Sequence, residues 1–462
     1  MRICQRLALG MAALAVIPPV SARAERIQVE PGADLSAILA SAAEGDVIVL
    51  KPGEHRGPLR LSKPLILEGE AGARVAGSGR GSVIVVAAPR TVVRQVTVTG
   101  SGFDPEAMDA GIFLEKTATG AVIERNRVEG NLYGVYIHGA EDSIVQDNAI
   151  VGLQEGRVNE AGNGVSVWNA PGAKVLRNDI RFGRDGIFSI TSKRNVFSGN
   201  RFRDLRFAIH YMYTNDSEIS DNVSSDNSVG FAIMFSHRLK VTGNRSEGDR
   251  DHGFLFNYAN GSHITGNLVL GRLQPAKRWL GIGTRSKDAG EHGLPAGEDK
   301  VALAGEGFRP GPTKCVFIYN ANQNRFRDNR FEGCDIGIHF TAGSERNEVV
   351  GNAFIGNRNQ VKYVSTRHID WSKDGRGNFW SDNPAFDLNG DGVADSPYRP
   401  NNLMDKVLWS APQAKVLANS PAVQVIRWAQ AQFPALLPGG VVDSHPLMAP
   451  PPRQPDRSGA GR

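Results

Sequence analysis

The sequence has few cysteines, no long apolar segment beyond its amino terminus and little net charge. Of three cysteines in 462 residues, Cys4 lies in the apolar amino-terminal segment, which leaves Cys315 and Cys334. Two cysteines in so long a chain exclude a disulfide-rich scaffold. No other stretch approaches the ~18 to 20 uninterrupted apolar residues of a membrane-spanning helix, so we expect membrane contact only through a partner.

The amino terminus has the pattern of a cleaved secretory signal peptide. Arg2 and Arg6 precede the apolar run LALGMAALAVI, and the small-x-small sequence Ala22-Arg23-Ala24 precedes Glu25. We therefore predict a signal peptide over residues 1–24 and a mature protein outside the cytoplasm. Its removal would leave 50 basic and 48 acidic side chains, a net charge of +2. This balance argues against nucleic acid or another polyanion as a partner.

Asparagine recurs at a regular interval, usually after Gly, Asp or Arg. The gaps between successive copies are 22, 30, 22, 22, 22, 23, 62 and 23 residues. Such a period, with short β-rich segments between, predicts an all-β parallel solenoid with three short strands in each turn. We expect each Asn to adopt a left-handed turn conformation and to hydrogen-bond to adjacent turns. The copies are Asn126, Asn148, Asn178, Asn200, Asn222, Asn244, Asn267, Asn329 and Asn352.

A strand follows most of these asparagines, beginning at a Gly or its substitute. Examples are GVYIH from Gly134 and AIHYM from Ala208. Strand alternation places the first and third residues after that position in the core, and the second and fourth outside. Because turns are ~4.8 Å apart, equivalent residues should stack into rows along the solenoid axis.

The outward positions carry aromatic, thioether and imidazole groups, and none of the eight strands places a carboxylate or a lysine there. An ordinary solvated strand would show charges and threonines. A contiguous apolar outer patch indicates a binding surface. The predicted partner-binding face comprises Tyr136, His138, Trp168, Phe188, Leu255, Phe317, Tyr319 and His339.

One part of this face offers soft metal ligands. Met212 and Met234 occupy the same position on successive turns, and His210 lies two residues before Met212 on the same face. Thioether and imidazole suit copper(I), whereas calcium and magnesium demand oxygen ligands. Methionine also fills protein interfaces, so an apolar docking patch is the alternative interpretation. Residue spacing alone leaves both interpretations open.

Cys315 and Cys334 are 19 residues apart, three short of a full turn, so we expect them to be neighbours across adjacent turns. In an oxidising compartment the pair is either a disulfide or two buried thiols, with a copper thiolate as a third alternative. The sequence does not separate these states.

Oxygen-bearing side chains alternate in the segment DLNGDGVAD, with Gly392 at the turn. This resembles the first part of a calcium loop, although Tyr398 stands where the bidentate Glu of a complete loop is expected. We predict a structural role for any calcium bound there. The candidate ligands are Asp387, Asn389, Asp391 and Asp395.

The remaining segments define the predicted boundaries. Residues 33–42 have helical spacing and suit a cap over the first turn of a parallel β-helix spanning 25–369, which is interrupted by a loop at 271–314. A carboxyl-terminal extension at 370–447 contains a predicted helix from Ser420 to Phe433. Residues 448–462 are predicted to form a disordered tail. The helix offers Val423, Ile426 and Trp428 to a partner.

An enzyme is the alternative class of function, since solenoids often act as polysaccharide lyases or uronan C5-epimerases. Proton abstraction beside a sugar carboxylate needs a base, together with calcium or a basic residue that neutralises the carboxylate. His210, Tyr136 and His339 offer a base. The outward positions offer neither clustered acids nor basic residues, so the sequence favours a protein without catalytic residues.

Long blocks of the chain resemble one family. RFRDLRFAIHYMYTNDSEISDN, KCVFIYNANQNRFRDNRFEGCDIGIHFTAGSERN and GRGNFWSDNPAFDLNGDGVADSPYRPN closely resemble NosD proteins, the periplasmic maturation factors of nitrous oxide reductase. The resemblance runs from about Gly100 to Leu447. It implies a right-handed, single-stranded parallel β-helix of the pectin-lyase type.

The resemblance also implies partners and a role. NosD-like proteins work with the membrane and ATPase subunits of an ABC transporter, and help to build the copper-sulfide cluster of the reductase. They are expected to receive copper(I) from a lipoprotein chaperone and to engage the apo-reductase. On that basis His210, Met212, Met234 and His252 are predicted as transient copper ligands.

Overall fold

The computed structural model describes residues 24–154, 158–279, 307–341, 343–363, 367–401, 405, 407, 413, 420–432 and 439–452. Within these ranges the chain consists almost wholly of short parallel β-strands, which confirms the predicted parallel β-helix. Each regular turn contributes one strand to each of three sheets. Residues 1–23 of the predicted signal peptide lie outside the described residues.

The three sheets run the length of the solenoid, and we number them in the order in which a turn visits them. Sheet 1 comprises Arg26–Val29, Val47–Leu50, Ile66–Gly69, Val92–Arg94, Val122–Glu124, Ile144–Gln146, Lys174–Leu176, Val196–Ser198, Glu218–Ser220, Lys240–Thr242, His263–Thr265, Arg325–Arg327 and Glu348–Val350. Sheet 2 comprises Gly53–Arg56, Ala73–Ala76, Thr97–Thr99, Arg127–Glu129, Ala149–Val151, Asp179–Arg181, Arg201–Arg203, Val223–Ser225, Arg245–Glu247, Leu268–Leu270, Arg330–Glu332, Ala353–Ile355 and Phe379–Trp380. Sheet 3 comprises Leu59–Leu61, Ile84–Val86, Ala110–Leu114, Tyr133–His138, Val165–Trp168, Asp185–Ile190, Phe207–Met212, Val229–Met234, His252–Asn257, Lys314–Tyr319, Ile336–Phe340 and Asn359–Tyr363.

The core lies between the sheets and is filled by stacked apolar side chains. Ile187, Ile209, Phe231 and Phe254 form one inward row of sheet 3, and all four are buried. The rings of Phe231 and Phe254 stack with centroids 4.8 Å apart. Full burial of each such side chain contributes roughly 1.5–3 kcal/mol. The alternation predicted from the sequence is therefore confirmed for this sheet.

The recurring asparagines form a continuous buried ladder. The backbone N–H and the side-chain Nδ2 of each Asn donate to Oδ1 of the next, as from Asn126 to Asn148 at 2.9 and 3.1 Å. The ladder extends beyond Asn352 to Asn378, which the sequence analysis did not include. Since an unsatisfied buried polar group costs about 1–3 kcal/mol, every copy stabilises both of its neighbours.

The left-handed conformation predicted for these asparagines belongs instead to the residue before each. The φ angle is 53° at Arg125, 55° at Asp147 and 67° at Gly243. The amide side chain of Asn is engaged by adjacent turns, so the preceding residue makes the corner of the coil. Gly and Asp are frequent there because they tolerate this region of backbone space.

A short helix covers the amino-terminal end, as predicted. Helix α1 spans Leu35–Ser41, and the Asp34 side chain accepts from the Ala37 backbone N–H at 3.0 Å. Such an N-cap contributes about 1 kcal/mol. Leu35 and Leu39 are buried beneath the helix. The helix thereby shields the open edge of the first turn from edge-to-edge pairing.

The carboxyl-terminal end is closed by a strand from much later in the chain. Gly440–Val442 pairs with His368–Asp370, and Asp443 Oδ2 accepts from the backbone N–H of Asn378 at 2.7 Å. Asp443 thus takes the place of the next Asn in the ladder. Because sheet 2 includes Phe379–Trp380, the solenoid extends past the boundary predicted at residue 369.

The insertion begins as a hairpin. Arg272–Pro275 and Phe308–Gly311 pair in antiparallel fashion, and a 3₁₀ turn spans Ala276–Trp279. Residues 280–306, the middle of the loop predicted at 271–314, lie outside the described residues.

A further helix, α2, spans Pro421–Gln432. The Val423 backbone N–H donates to Ser420 Oγ at 3.4 Å, which confirms the predicted cap. No helix within the described ranges combines the length and apolar character that a bilayer crossing requires.

Candidate functional site

Two parallel rows of side chains cover the outer surface of sheet 3. The His210 row contains Phe113, Tyr136, Ser166, Phe188, His210, Ala232, Leu255, Phe317, His339 and Lys362 in register. The methionine row contains His138, Trp168, Ile190, Met212, Met234, Asn257 and Tyr319. Strand alternation produces both rows, since Ile209 and Tyr211 on either side of His210 point into the core.

Met212 and Met234 are direct neighbours in the methionine row. Their backbones pair in register on adjacent strands, so their Cα atoms are about 4.8 Å apart, and both side chains are partly exposed. Two thioethers at this spacing can approach one soft ion together. The geometry assumed from the sequence is therefore present.

His210 points outward but is not solvent-exposed, which corrects the expectation of an accessible imidazole. Only 6% of the residue is exposed, because the rings of Phe188 and Phe207 cover it with centroids 5.0 and 4.9 Å away. Its Nδ1 lies 3.2 Å from Asp185 Oδ2. Its Nε2 is buried and has no hydrogen-bond partner in the described part of the chain.

Asp185 orients this imidazole. Arg206 donates to both carboxylate oxygens of Asp185, at 2.9 and 2.7 Å. Burial alone would raise the pKa of Asp185, but hydrogen bonds from His210 and Arg206 outweigh it and hold the pKa below its ordinary value. An ionised carboxylate only accepts, so in the neutral imidazole of His210 the proton is on Nδ1 and the lone pair is on Nε2. This is the tautomer that a metal-ligating histidine needs.

His252 does not join this group. It occupies the first position of its strand, five residues before Asn257, which is the neighbour of Met234 in the methionine row. At ~3.3 Å per residue, this places the Cα atom of His252 about 16 Å along the strand from the methionine row. The structure thus brings together three of the four predicted copper ligands and separates the fourth.

His252 belongs instead to a second group, the cationic cluster, which comprises His252, Lys314, Phe317, His339 and Lys362. The Phe317 ring lies 5.5 Å from that of His252 and 5.0 Å from that of His339, with Lys314 Nζ 4.4 Å from its centroid. Burial, reinforced by the Lys314 charge, lowers the pKa of His252 to about 4 and that of His339 to about 3. Both imidazoles are therefore neutral near pH 7.

The outer face of sheet 3 carries basic side chains that the sequence analysis did not identify. Arg206 contacts Asp185 beside His210, Lys314 begins one strand of sheet 3, and Lys362 pairs with His339 in the same row. The inference that the face lacks basic residues is therefore wrong. Lys362 was missed because its strand lies where the asparagine repeat fades.

The predicted partner-binding residues all lie in the two rows, with unequal exposure. Trp168 and Tyr319 are the most accessible, at 39% and 42%, whereas the others are partly buried. His138 stacks on Trp168 with centroids 4.4 Å apart. Such stacking immobilises the side chains before any partner arrives, which reduces the entropic cost of docking.

An exposed aromatic row beside the methionines was also missed. Tyr213, Phe235 and Tyr258 directly follow the strands of sheet 3, and their rings stack at 5.1 and 5.2 Å. Tyr213 and Tyr258 are 51% and 43% exposed. Their recurrence at intervals of 22 and 23 residues was the available signal.

Cys315 and Cys334 form a disulfide, which decides between the alternatives left open by the sequence. Their Cα atoms are 5.7 Å apart, and both residues are buried. The bond joins the strand that begins at Lys314 to the segment before Ile336–Phe340. It excludes a copper thiolate in this state and fixes the backbone beside the cationic cluster.

Comparison with known proteins supplies the family. Residues 151–385 match the family model described as "Periplasmic copper-binding protein (NosD)". The chain is 41% identical over 399 residues to the "Probable ABC transporter binding protein NosD" of Stutzerimonas stutzeri, covering 86% of each chain. The chain belongs to the NosD family. A Pseudomonas aeruginosa protein of the same printed name is 38% identical over 406 residues, which cover 88% of this chain and 89% of that one.

Among solved structures, the Dettilon tailspike protein has a TM-score of 0.51 and 15% identity, covering 70% of this chain and 62% of that one. At this identity the similarity shows the fold alone. The NosD family match includes all four predicted copper ligands, whereas Tyr136, His138 and the calcium-loop segment lie outside it.

The calcium-loop segment of this NosD-family chain is closed by its own hydrogen bonds. Asp387 accepts backbone N–H groups of Gly390 and Gly392 at 2.6 and 2.8 Å, and Asp395 accepts that of Leu388 at 2.7 Å. No three His, Cys, Asp or Glu side chains in the described ranges are grouped to hold a metal ion. The calcium site predicted at Asp387, Asn389, Asp391 and Asp395 therefore gains no support.

Helix α2 presents only part of the face predicted for docking. Val423 is buried at 4% exposure and is not accessible to a partner, which corrects that part of the prediction. Ile426 and Trp428 are exposed by 37% and 63%. Of the tail predicted at 448–462, Met448 donates its backbone N–H to Gly392 O at 3.0 Å, and 453–462 lie outside the described residues.

Proposed function

We propose that this protein is a periplasmic accessory factor for the maturation of nitrous oxide reductase and passes copper(I) toward the catalytic copper-sulfide cluster. Its partners are the membrane and ATPase subunits of an ABC transporter, a copper-chaperone lipoprotein and the apo-reductase. The NosD family description and the printed names of its relatives support the copper and transporter parts. Any ATP hydrolysis belongs to the partner ATPase, and membrane contact occurs through the transporter.

One observation carries the copper part of this proposal. Nε2 of His210 is buried and has no hydrogen-bond partner among the described residues, and in the neutral imidazole the contact of Nδ1 with Asp185 leaves the lone pair on Nε2. A buried polar atom left unpaired costs about 1–3 kcal/mol, which a ligand can recover. Met212 lies two residues along the same strand face, and Met234 is the diagonal neighbour, about 8 Å away along the sheet.

These three side chains provide one imidazole and two thioethers, which is a donor set for copper(I). With no thiolate or carboxylate among the ligands, the site is suited to modest affinity and therefore to release of the ion. His210 is covered by Phe188 and Phe207, so transfer requires these rings to move or a partner to displace them.

The partner that receives or supplies the ion docks, in this proposal, on the outer surface of sheet 3. Trp168 and Tyr319 are the most exposed members of the methionine row and lie on either side of the two methionines, and the aromatic row of Tyr213, Phe235 and Tyr258 flanks it. Exposed aromatic residues of this kind are enriched at interaction hot spots.

A copper(I) competition titration tests the proposal. Mature protein competes with a chromophoric copper(I) chelator under anaerobic conditions, and its affinity is compared with that of the Met212→Leu/Met234→Leu double variant. Leu preserves volume but removes both sulfurs. We expect at least a tenfold loss of affinity. Met448→Leu, a change to a thioether outside the site, is the control and should bind as the unaltered protein does. Equal affinity of the double variant would refute the copper site.

The lyase or epimerase alternative predicts a different product. The basic residues beside the outer face of sheet 3 could neutralise a sugar carboxylate, which is one requirement of that chemistry. Purified protein incubated with alginate or pectate should generate no unsaturated uronate absorbance and no epimerised residues if the accessory role is correct. Turnover that disappears in Lys314→Met would instead establish the enzyme.

A further inference from the structure

Three of the four nitrogen-bearing side chains of the cationic cluster, those of His252, Lys314 and His339, lie close to the Phe317 ring. The members of the cluster come from successive strands of sheet 3: His252 pairs with Lys314, and Phe317 pairs with His339. Because all three groups lie within 5.5 Å of the Phe317 ring centroid, they share one small area of the surface. The disulfide at Cys315 fixes the strand that carries Lys314.

Asp251 is the acid whose charge acts on Lys314, and it does so without forming an ion pair. No Asp or Glu in the described ranges lies within ion-pair distance of its Nζ, although the side chain is partly buried. The acid that precedes His252, Asp251, is bound by Arg250, whose Nη2 lies 2.6 Å from Oδ2. A partly buried ammonium with no carboxylate in direct contact is stabilised when an anion joins it.

The two imidazoles add unused hydrogen-bonding groups. Nδ1 of His252 and Nδ1 of His339 are both buried, and neither has a hydrogen-bond partner in the part of the chain that the structure describes. A neutral imidazole can present one N–H donor from that atom. Two such donors beside one ammonium match a monoanion that has two acceptor oxygens.

We propose that the cationic cluster is a carboxylate-binding site, in which the Lys314 ammonium and the Nδ1–H groups of His252 and His339 hold the two oxygens. The same charge repels a cation, so His252 is assigned to this site and not to copper. The Phe317 ring forms its apolar wall. The carboxylate belongs either to a free organic acid or to an acidic side chain of a docked protein. This inference goes beyond the proposed copper role and does not depend on it.

Nuclear magnetic resonance of ¹⁵N-histidine-labelled mature protein tests the site. Sodium acetate is titrated against the same concentrations of sodium chloride, and the ring nitrogens are followed. We expect saturable shifts at His252 and His339 with acetate, and none at His138, which lies on the same face outside the cluster. Lys314→Met should weaken acetate binding at least tenfold, whereas Lys314→Arg should retain it. Lys193→Met, which removes an exposed lysine on another turn, should have no effect.

The same titration with a blocked Gly-Asp-Gly peptide identifies the source of the carboxylate. A tenfold or greater preference for the peptide over acetate assigns it to a protein side chain, and equal affinities assign it to a free acid. Either result supports the site. Absence of saturable shifts with both probes, or unchanged binding in a folded Lys314→Met variant, would overturn it. Unchanged shifts of the other histidines report that the variant is folded.

Discussion

Asp249 should make the solenoid less stable as pH rises from 4 toward 7. Its carboxylate is completely buried, where it accepts hydrogen bonds from Ser224 Oγ, Ser246 Oγ and the Asn227 backbone N–H. Burial outweighs these bonds and raises the pKa of Asp249 from 3.8 to about 7. Between these values the folded protein holds a proton that the unfolded chain has released. Stability is therefore fully present below pH 4 and falls as pH rises toward 7.

The magnitude follows from the two pKa values. A difference of about three units, at about 1.4 kcal/mol for each, makes the loss about 4 kcal/mol. Asp249→Asn should abolish it, and the neighbouring turn shows that an amide fits: Asn227 occupies the equivalent corner, and its Nδ2 donates to Ser224 Oγ at 2.8 Å. Urea unfolding followed by circular dichroism at several pH values between 4 and 8 measures the effect.

The comparison of variants isolates this residue from every other titrating group. The difference in unfolding free energy between Asp249→Asn and the unaltered protein should increase with pH across this range. Asp216→Asn is the control, because Asp216 is an exposed acid paired with Arg238, and it should preserve the pH dependence. Identical pH dependence in the unaltered protein and Asp249→Asn would refute the reasoning.

Three further outcomes are expected. Asp185→Asn removes the anionic acceptor that fixes the tautomer of His210, so copper(I) affinity should fall 10–100-fold in the chelator competition, and an unchanged affinity would deny Asp185 that role. Replacing Cys315 and Cys334 by Ala opens a cross-link between residues 19 apart, which should lower the free energy of unfolding by about 3 kcal/mol in urea titrations; no loss would mean that the bond adds no stability. Trp428→Ala should leave the melting temperature unchanged but weaken co-purification with the transporter membrane subunit, and undiminished co-purification would remove helix α2 from that interface.

The sequence was sufficient for the architecture because the fold repeats. A period of 22 to 23 residues, set by a buried asparagine and alternating apolar positions, determines the coil, the core and the direction of each strand. The juxtaposition of Met212 and Met234 follows from the same period. These features depend on local spacing, so they can be derived without knowledge of long-range contacts.

The environment of His210 could not be derived in this way. Its partner Asp185 lies 25 residues earlier, at the start of the preceding strand, outside the alternating positions from which the outer rows were predicted. Arg206 and Phe207 lie at the equivalent start of the next strand, Phe207–Met212, which carries His210 itself. Since the repeat does not specify how turn residues fold over the sheet, the burial of His210 and the orientation of its ring needed coordinates.

The pairing of Asp443 with Asn378 has a consequence for how the chain is organised. The two residues are separated by 65 positions, yet they are consecutive in the buried ladder. Between them, Phe379–Trp380 belongs to sheet 2 and Gly440–Val442 pairs with His368–Asp370, so changes of chain length between these two strands should be tolerated better than changes within them. Deletions that remove Asp443 should not be tolerated, because the last turn of the solenoid would lose the acceptor for the Asn378 backbone N–H. The last turn of the solenoid can therefore form only after the chain has been synthesised as far as Asp443.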